Sequence, residues 1–245
     1  MMQSANKMDM VSKLQKDILG LQGFRTVTQS QHTDFGLGVI ERSFPNGVFP
    51  TGAVHELVSH GRQDAAATSG FIAAILGKTI RQGGLGIWIS QKRTIFPPAL
   101  KFFGVDPDRI IFIDVKNEKD LMWIVEECLK CKALTAVVAE LKEISLTESR
   151  RLQLAVEQSR VTGLMHRMNP ATINNTACTA RWQVRSLASE PQDGMPGVGF
   201  YQWHVQLLKV RNGHSGSWVV QYKPGQFNHM QKPATRMDRQ LLKTG

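Results

Sequence analysis

Short apolar runs of strand length alternate along this chain with longer stretches whose apolar residues recur at helical spacing. Residues 53–58 predict a strand. Over 64–81, Phe71, Ile72, Ile75, Leu76 and Ile80 share one face of a predicted helix, which Gly83-Gly84 ends. A second strand is predicted at 86–90, followed by a Pro97-Pro98 turn, a short helix and a third strand at 110–114. Leu121, Ile124, Val125, Cys128 and Leu129 stand at i, i+3, i+4, i+7 and i+8, so 119–131 predicts an amphipathic helix. Residues 135–141 are apolar enough for a strand buried on both faces. Ser145 and Glu148 have the spacing of a capping box ahead of a helix carrying Leu152, Ala155 and Val156. Strand and helix thus alternate from 53 to about 168, the pattern of a largely parallel α/β sheet with right-handed crossovers.

The flanks differ. Met10, Leu14, Ile18 and Leu21 recur at helical spacing, so residues 1–35 read as an amphipathic helix with a linker. Residues 177–186 alternate, with Trp182 and Val184 on one face and Arg181 and Arg185 on a predicted solvent face. Segments 200–211 and 217–222 flank Asn212-Gly213, a strong hairpin signal. Trp182, Trp203 and Trp218 alternate with polar positions, which favours hairpin core over base-stacking platforms. The core is therefore expected over 36–223, with 224–245 as a basic tail without fixed structure.

Composition narrows the class. The chain has 245 residues and 42% hydrophobic content, enough for one sizeable core. No apolar run approaches the roughly 18 residues of a membrane span, and three cysteines suit a reducing cytoplasm better than a disulfide framework. The net charge is +10, and residues 151–245 hold twelve Lys/Arg against four Asp/Glu. That field attracts polyanions. Arg181, Arg185, Lys209, Arg211 and Lys223, with Lys232, Arg236, Arg239 and Lys243 in the tail, are the candidate contacts for nucleic acid or an acidic partner. A solubilising basic surface is the competing reading.

Gly61 to Thr68 carry the frame of a phosphate-binding loop, G-x-x-x-x-G-K-[ST], without its working parts. Gly61 and Thr68 are in place. Ala66 replaces the second glycine and Ala67 the phosphate-neutralising lysine. Gly77-Lys78-Thr79 spells the end of the same motif, but Ile72 stands where its first glycine belongs, far along an apolar helix. Cys128-x-x-Cys131 lacks a second pair or a nearby His pair, which favours a buried structural thiol over a metal or redox site.

The stretch FPNGVFPTGAVHEL at 44–57, followed by the Gly61 segment, resembles the entry to the core of RecA-type recombinases. WISQKRTIFPPALKFFGVD at 88–106 is similar to the recombinase segment FIDAEHALDPIYARKLGVD, without gaps. In that alignment the glutamate thought to activate the hydrolytic water falls on Lys92, and Glu140 stands at the metal-linked Walker B position. LMWIVEECLK (121–130), AVVAEL (136–141), LTESRRLQLAVEQ (146–158), ARWQVRS (180–186) and QWHVQLLKVRNGHSGSWVVQY (202–222) together resemble the ImuA family, over roughly 36–223. The resemblance implies an α/β, RecA-like P-loop core with a mostly parallel central sheet, an N-terminal helix and a C-terminal β-hairpin. It implies an SOS-induced adaptor in translesion synthesis, without catalysis or cofactor of its own, cytoplasmic and nucleoid-associated when bound. The implied partners are an ImuB-like inactive Y-family protein and a C-family error-prone polymerase, with RecA, single-stranded DNA and self-association through the N-terminal helix as further candidates. Two alternatives stay open: a SulA-like division inhibitor, whose relatives are shorter and lack the late Trp hairpin, and a weak DNA-dependent ATPase binding ATP and Mg²⁺ with a lysine from elsewhere.

Overall fold

The computed structural model describes residues 34–80, 83–189 and 199–230. The expected N-terminal helix (Met10, Leu14, Ile18, Leu21) and Lys232, Arg236, Arg239 and Lys243 lie outside these residues. Nine strands form one sheet: β1 (Val54–Ser59), β2 (Gly86–Ser90), β3 (Ile110–Asp114), β4 (Ala136–Leu141), β5 (Thr162–Met168), β6 (Ala180–Leu187), β7 (Tyr201–Val210), β8 (Gly216–Lys223) and β9 (Gln226–Met230). Their order is β3-β2-β4-β5-β1-β6-β7-β8-β9. Strands β1 to β6 run parallel, and β7, β8 and β9 extend the sheet antiparallel. Helices α1 (Gly61–Ile80), α2 (Glu118–Lys130) and α3 (Leu146–Ser159) complete a RecA-like α/β core with a C-terminal hairpin.

The sheet separates two apolar layers. Leu57, Trp88, Val138, Leu164 and Trp182 face α1, while Val54, Ile89, Val137 and Met165 face Leu121, Val125, Leu129, Leu152 and Val156 of α2 and α3. Every residue of β4 is buried, as its apolar run, broken only by Glu140, predicts. Burying side chains of this size contributes roughly 1.5–3 kcal/mol each. The capping box is present: Ser145 Oγ accepts from Glu148 N–H, and Glu148 Oε2 accepts from Ser145 N–H at 2.8 Å.

Three expectations change. Helix α1 is buried almost all round, from Ala67 to Ile80, because the sheet covers one side while the 3-10 segment Pro97–Phe103 and the aromatics of 35–49 cover others. The hairpin exists, but β7 and β8 pair only from Leu207↔Gly216 inward, so the connection is longer than Asn212-Gly213. The tail does not begin at 224: β9 pairs with β8 from Lys223↔Gln226 to Val219↔Met230. Phe227 joins the core against Phe71 at 5.7 Å and Tyr222 at 5.2 Å. A polar, basic composition hid one anchoring aromatic.

Candidate functional site

In a RecA-like sheet, ligands meet the protein at the C-terminal ends of the parallel strands. Here β1 gives way to α1 after a single residue, His60, so Gly61 to Thr68 form the first turns of a helix rather than a loop. The phosphate-loop expectation is corrected on that point. Gly61 sits at φ +77°, and its N–H donates to Asn169 Oδ1 at 2.7 Å. Asp64 Oδ1 accepts from Ser186 N–H at 3.0 Å. Thr68 is buried and its hydroxyl donates to its own helix, at Asp64 O, 2.7 Å away. Ala66 is exposed and Ala67 buried. The Gly77-Lys78-Thr79 decoy lies in the last turn of α1, and Gly77 is there for packing: a Cβ would stand 2.2 Å from Phe103 O.

Behind this turn, side chains of one face line up across the strand ends: Ser90 of β2, Glu140 of β4, His166 of β5 and Ser59 of β1, all buried. Glu140 and His166 are register partners. Glu140 Oε1 accepts the Trp88 indole N–H at 2.9 Å, and burial outweighs that bond to raise its carboxyl above the ordinary range. His166 Nε2 meets Ser59 Oγ at 2.9 Å, and burial lowers the ring to about 4. Glu140 Oε2 and His166 Nδ1 are buried without a partner among the described residues. One oxygen of Glu140 is thus already engaged by an indole N–H inside the protein. Lys92 is exposed beyond β2. These residues do not fit a magnesium–triphosphate: the lysine is missing, the hydroxyl is engaged, and the carboxyl is tucked under an indole.

The opposite face holds what sequence reasoning missed. Glu56 of β1 is fully buried and accepts from Arg167 Nη1 at 2.6 Å, Thr176 Oγ1 at 2.7 Å and Arg181 Nε at 2.8 Å. Arg167 also donates to Glu143 Oε2 at 2.6 Å and Thr172 O at 3.0 Å. The cluster fastens segment 169–179 between β5 and β6. The available signal was a charge placed inside a short strand, Glu56 in VHELVS and Arg167 in TGLMHRM. His55 went unnoticed too. Its Nε2–H donates to Pro50 O at 2.7 Å, its Nδ1 accepts from Trp182 Nε1–H at 3.4 Å, and Phe49 stacks on it at 4.4 Å. Burial holds that ring at about 4, against the raising effect of the Pro50 bond.

The candidate basic face divides. Arg181 is not on a solvent face: it is 8% exposed and paired with Glu56, because segment 169–179 covers that side of β6. Arg181 Nη2 donates to Asn174 O at 2.5 Å, Lys209 Nζ to Thr176 O at 2.9 Å and Arg211 Nη2 to Ala177 O at 3.0 Å. Three of the five cations thus hold one segment's carbonyls. Arg185 is exposed and donates to Gln183 Oε1 at 3.3 Å. Lys223 Nζ lies 5.2 Å from the Phe200 ring centroid. Trp182 and Trp203 are buried, and Trp218 is half-buried against the same core. Cys128 is half-buried and Cys131 exposed, both as free thiols. Among the described residues no helix is long and apolar enough to cross a membrane.

No family model matches the chain. It is 31% identical over 208 residues to Protein ImuA of Caulobacter vibrioides, in strains NA1000 / CB15N and ATCC 19089 / CIP 103742 / CB 15 alike. The alignment covers 80% of this chain and 85% of each relative. With the RecA-like sheet and the late Trp hairpin in place over that span, the chain belongs to the ImuA family.

Proposed function

We propose that this protein is a non-catalytic RecA-like adaptor of SOS-induced translesion synthesis and DNA repair, helping an ImuB-like inactive Y-family protein and a C-family error-prone polymerase assemble on damaged DNA. The observation that supports it best is the strand-end site. Helix α1 starts one residue after β1, and Thr68, Asp64 and the Gly61 N–H are all bound within the protein. A site arranged this way holds the first turn of a helix to β6 and Asn169, which stabilises a scaffold. Its Glu140 is buried and accepts the Trp88 indole N–H, a bond internal to the sheet. The chain acts in the cytoplasm, on the nucleoid when assembled.

The test is affinity purification of the tagged full chain from DNA-damaged cells. Recovery of an ImuB-like protein and a C-family polymerase is expected. Recovery of the tubulin-like division protein instead, with filamentous cells on overexpression, would replace this reading with division inhibition.

A further inference from the structure

Helix α2 ends on a pair of cysteines. Cys128 lies in its last turn, and Cys131 is its C-cap, with φ −78° and ψ 101°, already out of the helix. The sequence favours a buried structural thiol here. The structure instead leaves Cys128 half-buried at the margin of the α2/α3 layer and Cys131 exposed, both as free thiols. Cys131 N–H donates to Cys128 O at 3.1 Å, which closes a turn of three residues rather than the four of a regular helix. Such a turn rises about 2.0 Å per residue and eclipses side chains three apart, so the two Cα atoms stand about 6 Å apart with their Cβ atoms on one side. A disulfide spans Cα atoms about 4.4–6.8 Å apart. Any adjustment falls on Cys131, Lys132 and Ala133, all exposed, and not on the sheet.

We infer that Cys128 and Cys131 form a redox-active dithiol that hydrogen peroxide closes to a disulfide, Cys131 being oxidised first and Cys128 resolving it. The Cys131 thiolate attacks one peroxide oxygen and the O–O bond breaks. The leaving hydroxide takes up the proton lost by the thiol, giving water and a Cys131 sulfenic acid. The Cys128 sulfur then attacks the Cys131 sulfur, the S–O bond breaks, and hydroxide leaves with the Cys128 proton as a second water. The two sulfurs give up two electrons, and the peroxide takes them. The order follows from exposure. Peroxide reaches Cys131 from solvent, while burial, the neighbouring Cys131 and Glu127 push the Cys128 thiol up. A less acidic thiol ionises less readily, yet its thiolate is the stronger nucleophile once formed. Cys178 takes no part: it is buried, and chiefly for that reason its thiol is pushed up to about 12. The inference does not rest on the adaptor reading, since it concerns the chain by itself.

The test treats the reduced full-length protein with hydrogen peroxide, blocks the remaining thiols with N-ethylmaleimide and maps tryptic peptides by mass spectrometry. Trypsin cuts after Lys119, Lys130 and Lys132, so the bond would join residues 120–130 to Cys131-Lys132. That linked pair is expected, with free thiols falling from three to one and returning to three with dithiothreitol. Cys128→Ser should leave Cys131 as a sulfenic acid that dimedone captures. Cys131→Ser should give no dimedone adduct on Cys128 at the same peroxide concentration. No loss of thiols, a bond to Cys178 or bonds only between chains would overturn the proposal. So would Cys131 sulfinic acid beside a free Cys128, or a dimedone adduct on Cys128 in Cys131→Ser.

Discussion

Substituting Glu56 with glutamine removes the negative charge that lies between two guanidinium groups in the interior. Glu56 and Arg167 have fully buried side chains, and that of Arg181 is 10% exposed. The carboxylate accepts three hydrogen bonds at 2.6–2.8 Å, two of them from cations. An amide in its place offers one acceptor oxygen and turns an N–H₂ toward a donor. Arg167 keeps Glu143, whose side chain is 49% exposed and so offsets little. Breaking one side of a buried ion pair costs about 3–5 kcal/mol. Urea unfolding followed by far-UV circular dichroism reads this directly. With a denaturant slope of about 3 kcal/mol/M for a chain of this length, the midpoint should fall by about 1–1.7 M. The triple variant Glu56→Met, Arg167→Met, Arg181→Met should recover part of that loss, because no buried charge is then left alone. A Glu56→Gln midpoint within about 0.3 M of wild type would refute the reasoning, since it would mean that water reaches these groups.

Further outcomes follow from the same packing. His55 and His166 sit at about 4 in the fold, against 6.5 for the free side chain. The unfolded chain therefore takes up their protons first: stability is full above about pH 6.5 and falls toward pH 4, by roughly 3 kcal/mol per ring at the acid end. Thermal melts across that range check it, and a flat profile would contradict it. Gly77→Ala, a change that stabilises an ordinary exposed helix, should instead cost about 1–3 kcal/mol, because the added methyl meets Phe103 O. Differential scanning calorimetry would show a lowered Tm. Restoring the motif with Ala66→Gly and Ala67→Lys should lower Tm without creating nucleotide affinity, since position 67 is on the buried side of α1, in the hydrophobic core. Gain of ATP turnover in that variant would count against the helical reading of the segment.

The alternating core was legible in the sequence because each strand and helix there carries its own period. Residues of β4 are apolar but for Glu140, α2 shows a clean stripe, and Ser145 with Glu148 announces the start of α3. What failed did so for identifiable reasons. Composition made the region beyond residue 223 look unstructured, yet Phe227 packs into the core and His229 Nε2 bonds Leu37 O at 2.8 Å. Alternation put Arg181 on a solvent face, yet segment 169–179 folds back and makes that face interior, a long-range contact no local pattern reveals. The Gly61–Thr68 spacing matched a loop motif, while helix propensity in Ala65-Ala66-Ala67 draws the same residues into α1. The pairing within the Glu56 cluster was not legible because its members come from three strands and two linkers, brought together only by the sheet order.

The most direct test of the claim that this fold no longer handles nucleotide is isothermal titration of the purified full-length protein with Mg²⁺-ATP, run beside an assay for released phosphate. No saturable binding and no phosphate above the buffer rate are predicted, with and without single-stranded DNA. Stoichiometric binding with steady phosphate release, lost on Thr68→Ala, would contradict it.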